Sequence, residues 1–118
     1  MPYVAICLYG PHVSKMPTID VGLTEVEVDA KFGFHESSFT EFPEEEGVRS
    51  FADPDECSNE FLVADHGDVD GLIGRVSDEI VAYEELLDDV DEEGSDEFDL
   101  FTKKSATLRK IVQQLKQL

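Results

Sequence analysis

Residues 18–34, TIDVGLTEVEVDAKFGF, carry the most regular pattern in the chain and decide how its first half is read. Apolar residues alternate on odd positions (Ile19, Val21, Leu23) and then on even ones (Val26, Val28, Ala30, Phe32, Phe34). Period two is the mark of a half-buried β-strand, whose successive side chains point to opposite faces. The change of parity near Thr24 predicts a bulge or a break in register, because a one-residue slip exchanges the two faces. Glu25, Glu27, Asp29 and Lys31 then line the outer face, with the three carboxylates about 7 Å apart, twice the rise per residue.

Upstream, residues 3–9 (YVAICLY) form a continuous β-prone run closed by Gly10-Pro11, as expected of a central strand buried on both faces. Downstream, residues 36–57 read as a long loop punctuated by Pro43, Gly47 and Asp53-Pro54-Asp55, with Phe39, Phe42 and Phe51 pinning it to the core. A short strand over Glu60–Ala64 and a turn at His66-Gly67-Asp68 follow. The period then becomes helical: Val69, Leu72, Val76, Ile80, Tyr83, Leu87 and Val90 form one stripe, with Asp68 or Asp70 as its cap. An acidic run, Asp91–Glu97, leads to a last helix near 102–117, where Leu108, Ile111, Val112, Leu115 and Leu118 share one side. The fold class expected is α+β, a small antiparallel sheet with two C-terminal helices packed on one face. Residues 1–118 form one domain on this reading, mostly β over 1–64 and helical over 69–117.

Charge is the strongest compositional signal. The 118 residues carry a formal net charge of −19, and all 28 acidic residues lie between Asp20 and Asp99, where Lys31, Arg49 and Arg75 are the only basic ones. Solubility needs a net charge of only about 2–8 in a small domain, and self-repulsion beyond that opposes compactness. Lys103, Lys104, Arg109, Lys110 and Lys116 gather in the last helix, where some of them are expected to offset the acidic helix before it. A hydrophobic fraction of 41% supports a real core. No apolar stretch reaches the roughly 18–20 residues of a membrane span, and the first residues lack a signal-peptide pattern. Cys7 and Cys57 form no C-x-x-C pair, so a reduced cytoplasmic protein is expected.

Motifs for catalysis are weak. No G-x-S-x-G, H-E-x-x-H or phosphate-loop pattern occurs, and His12, His35 and His66 share no metal-ligand spacing. His66–Ile73 resembles the first half of a calcium-binding EF-hand loop, but its first ligand would be His66 and its twelfth Ser77 instead of a bidentate Glu. A strand-to-helix turn with an acidic cap accounts for the same residues.

The acidic faces remain. Glu84–Asp88, Glu85–Asp89, Asp88–Glu92 and Asp89–Glu93 are like-charge i,i+4 pairs, each costing about 0.2–0.5 kcal/mol if helical. They also fall at a helix C-terminus, where the macrodipole disfavours carboxylates. Regularly spaced carboxylates on a rigid frame imitate a nucleic-acid backbone and fit a basic groove. The expectation is a non-catalytic protein, with no cofactor and no metal, that neutralises a basic nucleic-acid-binding enzyme. Anti-restriction, anti-CRISPR and toxin-immunity proteins are the physical analogy. The partner-binding residues expected are Glu25, Glu27, Asp29, Asp78, Glu84, Glu85, Asp88, Asp89, Asp91, Glu92 and Glu93. Direct binding to nucleic acid or to a membrane is not expected, and the apolar stripe of the last helix offers a homodimer contact. The alternatives are a divalent-cation-responsive module built on Asp65, Asp68 and Asp70, and a structural subunit of a halophilic or acidic assembly.

Overall fold

A computed structural model of the chain describes residues 2–10, 13–32, 40–45, 47–52, 60–90 and 95–118; the side chains of Asp29, of residues 31–32 and of residues 40–45 are not described. The elements, in chain order, are β1 (Tyr3–Leu8), β2 (Thr18–Leu23), α1 (Glu25–Phe32), β3 (Thr40–Glu45), β4 (Val48–Ala52), β5 (Glu60–Asp65), a 3-10 turn (His66–Asp68), α2 (Val69–Asp89) and α3 (Asp96–Lys116). This is an α+β fold, with the strands in one antiparallel sheet of order β2-β1-β5-β4-β3.

β1 lies inside the sheet, and its continuous apolar run is buried from Val4 through Leu8, as expected of a strand covered on both faces. Its even positions, Val4, Ile6 and Leu8, join Leu62 and Ala64 of β5 beneath Leu72, Val76 and Tyr83 of α2 and Phe101, Leu108, Ile111 and Leu115 of α3. Ala5 and Val63 face the other way, against Val28 of α1 and Phe51 of β4. The two long helices therefore share one face of the sheet, and α1 covers the opposite face.

The expected strand over 24–34 is overturned. After β2 the chain turns into α1, and a capping box begins it: the Thr24 hydroxyl accepts from the Glu27 N–H at 3.2 Å, and the Glu27 carboxylate accepts from the Thr24 N–H at 3.3 Å. Glu25 and Glu27 also place negative charge in the first helical turn, where the macrodipole favours it. Alternation over so short a segment does not enforce a strand: Val28 is buried while Val26 is 77% exposed. The face change is real but lies at Gly22, whose φ of 78° accommodates the register shift between Tyr3↔Leu23 and Val4↔Val21.

The expected loop over 36–57 contains a hairpin. β3 and β4 pair around Gly47, which has a φ of 79°; a Cβ there would sit 2.5 Å from Asp68 Cγ, so the turn packs directly on the start of α2. Phe51 is buried as expected, whereas Phe39 and the side chain of Phe42 lie outside the described residues. The caps differ from expectation as well. Asp68 makes no side-chain cap bond, and the Asp65 carboxylate instead accepts from the Gly67 N–H at 2.9 Å. α3 begins earlier than 102, where the Ser95 hydroxyl accepts from the Phe98 N–H at 3.2 Å. Leu118, expected on the buried side, is 44% exposed.

Candidate functional site

The eleven expected partner-binding residues divide between two sides of the molecule. Glu25 and Glu27 are exposed at the start of α1, and Asp29 follows in the same helix, so the row of carboxylates at strand spacing does not exist. On the far side of the sheet, Asp78, Glu84, Glu85, Asp88 and Asp89 are exposed on α2. Asp78, Glu85 and Asp89 recur at helical spacings opposite the buried Leu72, Val76 and Tyr83, with half-exposed Val81 among them. Asp91, Glu92 and Glu93 lie outside the described residues. The sheet thus separates the α1 carboxylates from those of α2.

Many of the remaining acids have structural work. Arg75 donates from Nη2 to both Glu60 carboxylate oxygens at 2.8 Å and from Nη1 to Glu79 at 2.9 Å, joining β5 to α2. Asp96, Glu97 and Asp99 occupy the first turn of α3, facing the positive end of its dipole. The end of α2 differs: its last turn contains no basic residue, and the ion pair found there joins Glu84 to Arg109 of α3. Both of those side chains are more than half exposed, so the pair is worth at most about 1 kcal/mol.

Lys104 was expected among the cations that offset the acidic helix; instead it is 0% exposed. Its Nζ donates to the Gly10 carbonyl at 2.5 Å, with the Tyr9 carbonyl at 3.5 Å. The Tyr83 hydroxyl also donates to the Tyr9 carbonyl at 3.4 Å. Burial lowers the Lys104 ammonium to about 8 and, with the Glu79 charge adding to it, pushes the Tyr83 phenol up to about 12. These groups tie the chain after β1 to the two long helices. Sequence held part of the signal, since Lys104 falls on the same helical stripe as Phe101, Leu108, Ile111 and Leu115, but the carbonyls that receive its ammonium could not be placed from it.

Residues 66–77 form a 3-10 turn running straight into α2, so the 12-residue loop of an EF-hand is not formed there. Among the described residues, no group of three or more His, Cys, Asp or Glu is placed to hold a metal ion. Cys7 is buried in β1, and Cys57 lies outside the described residues. No helix among the described residues is long and apolar enough to cross a membrane. Compared with protein-family models, with curated proteins and with solved structures, the chain matches none.

Proposed function

We propose that this protein is a non-catalytic acidic binder that neutralises a basic, nucleic-acid-binding protein, with the exposed acidic end of α2 as its principal contact. One observation carries the reading. Glu85, Asp88 and Asp89 are exposed at the C-terminal end of a helix whose last turn has no basic residue, so local electrostatics work against them. A basic groove that normally holds phosphates would reverse that penalty and be steered to the site by the net charge of −19. Blocking such a groove inhibits the partner as a nucleic-acid mimic, an anti-restriction or anti-CRISPR protein, or an immunity protein does. The rigid array behind this reading is now the α2 ridge alone, since the α1 carboxylates follow a helix on the other face.

The test is capture of partners from an extract of the source cells on immobilised protein, eluted with a salt gradient. A specific basic protein should be released steeply as the Debye length shrinks from about 10 Å at 0.1 M to about 3 Å at 1 M salt. A partner held equally tightly across that range would contradict the proposal.

A further inference from the structure

The two edges of the sheet are not equivalent. β3 closes one edge with Pro43, which has no N–H to offer, and with an irregularity between Phe42 and Glu45. β2 closes the other edge with no proline inside it, and half of its backbone groups face away from β1. Val21 on this edge is 48% exposed. At the end of the strand a cavity of about 340 Å³ opens, lined by Pro2, Tyr3, Gly22, Leu23, Thr24 and Glu25. Gly22 contributes open space, since a Cβ built on it would meet no atom within 4 Å.

The two sides of this edge differ in chemistry. Asp20 pairs with Ala5 and Leu23 with Tyr3, which places both on the α1 side, where exposed Glu25 rims the cavity. Val21 pairs with Val4 and Ile19 with Ile6, which places both on the side of α2 and α3. A strand added to β2 would set alternate side chains toward the α1 side, where Glu25 supplies an exposed carboxylate, and the others against apolar surface. The cavity brings apolar surface of Pro2, Tyr3 and Leu23 together with polar groups of Thr24 and Glu25, which suits a lysine or arginine that lays its stem along the former and its charge beside the Glu25 carboxylate. Lys15, the cation preceding β2, is held over the Tyr9 ring, with Nζ 5.6 Å from its centroid.

We infer that β2 is a docking edge for an extended basic segment of the partner, in which basic and apolar residues alternate, with one basic side chain seated in the cavity beside Glu25. This rests on the acidic-binder reading and adds to it a second contact, on a different part of the molecule from the α2 ridge.

The probe is a blocked peptide of alternating lysine and valine, about six residues long, the usual length of a strand. Two controls accompany it: the same peptide N-methylated at alternate amides, and a lysine–glycine peptide of equal charge and low strand propensity. Binding is measured by titration at low salt, together with amide exchange of residues 18–23. The lysine–valine peptide should bind, slow exchange along β2 and bind about tenfold more tightly than its methylated form, which has lost edge hydrogen bonds. Glu25→Gln should weaken it about threefold to tenfold, a charge-assisted contact being lost. If all three peptides bind alike without protecting β2, the edge is refuted while the acidic-binder reading stands. If none binds at low salt, the edge is likewise refuted, and the acidic-binder reading is decided separately by the salt-gradient capture.

Discussion

The end of α2 and the start of α3 are close in sequence and carry the same kind of charge with opposite consequences. Asp96, Glu97 and Asp99 face the free N–H groups of a helix whose first turn Ser95 caps, so their charge helps the fold. Glu85, Asp88 and Asp89 crowd the carbonyl end of α2, where no basic residue answers them in the last turn. Total acidity is therefore a poor guide to function. Between these two runs, what separates carboxylates that help the fold from those that do not is the end of the helix they occupy.

The largest expected effect tests the seam that holds the two regions together. Ile111 is 3% exposed in the core shared by α2, α3 and the sheet. Ile111→Asp buries an unpaired charge and should cost about 4 kcal/mol or more, read as loss of the folded baseline in urea. Sedimentation equilibrium would give a destabilised monomer if the stripe docks internally. A dimer that becomes a stable folded monomer would reassign the stripe to an intermolecular contact.

Next in size is a pH effect from Lys104. Its folded-state value of about 8 lies below the ordinary 10.5, so between those values the unfolded chain binds more protons. Stability should therefore rise with pH across that window, on the order of 1–3 kcal/mol, with no slope from this group below it. Tyr83, raised from 10 to about 12, lowers stability again as pH passes 10. Urea midpoints measured from pH 7 to 10 should show the rise in the native chain and its loss in Lys104→Met; parallel curves would refute it.

Capping comes third. Ser95→Ala and Thr24→Ala should each cost about 1 kcal/mol by removing the acceptor for a first-turn N–H. Thermal melts would detect both, and a silent Thr24→Ala would mean that α1 contributes little to stability.

The smallest effect bears most directly on the contrast between the helix ends. Asp88→Asn with Asp89→Asn should raise stability by a few tenths of a kcal/mol per residue, whereas Asp96→Asn with Glu97→Gln should lower it by a similar amount. Both double variants remove the same charge, so a shared sign would show that overall repulsion, not position, governs them.

How much of this was legible in the sequence depended on the length of each pattern. The stripe from Val69 to Val90 spans many turns, and α2 runs from Val69 to Asp89. β1 was legible because its apolar run is uninterrupted and ends at Gly10-Pro11. Residues 25–32 give a helix too short for period to decide, and the signal that did decide, Thr24 with Glu27 three residues on, was in plain view. The β3–β4 hairpin was hidden by its own composition, since Pro43 and a run of glutamates argue against a strand anywhere but at an edge, which is where β3 lies. At the candidate site, the exposure of the α2 carboxylates followed from helical spacing. The α1 carboxylates were misplaced together with their element. The inward position of Lys104 was open to reading from its place on the stripe of Leu108, Ile111 and Leu115, whereas the carbonyls it reaches lie nearly a hundred residues away in the chain and could not be read locally.

The central claim, that the carboxylates ending α2 are kept for a partner and not for the fold, is tested most directly by one comparison of affinities. The captured partner is titrated at low salt against Asp88→Asn/Asp89→Asn and against the charge-matched Asp96→Asn/Glu97→Gln. The account predicts that the first variant binds at least about tenfold more weakly, the loss of well-placed charge-assisted contacts, while the second stays near the native affinity. Equal affinities for the two variants would contradict it.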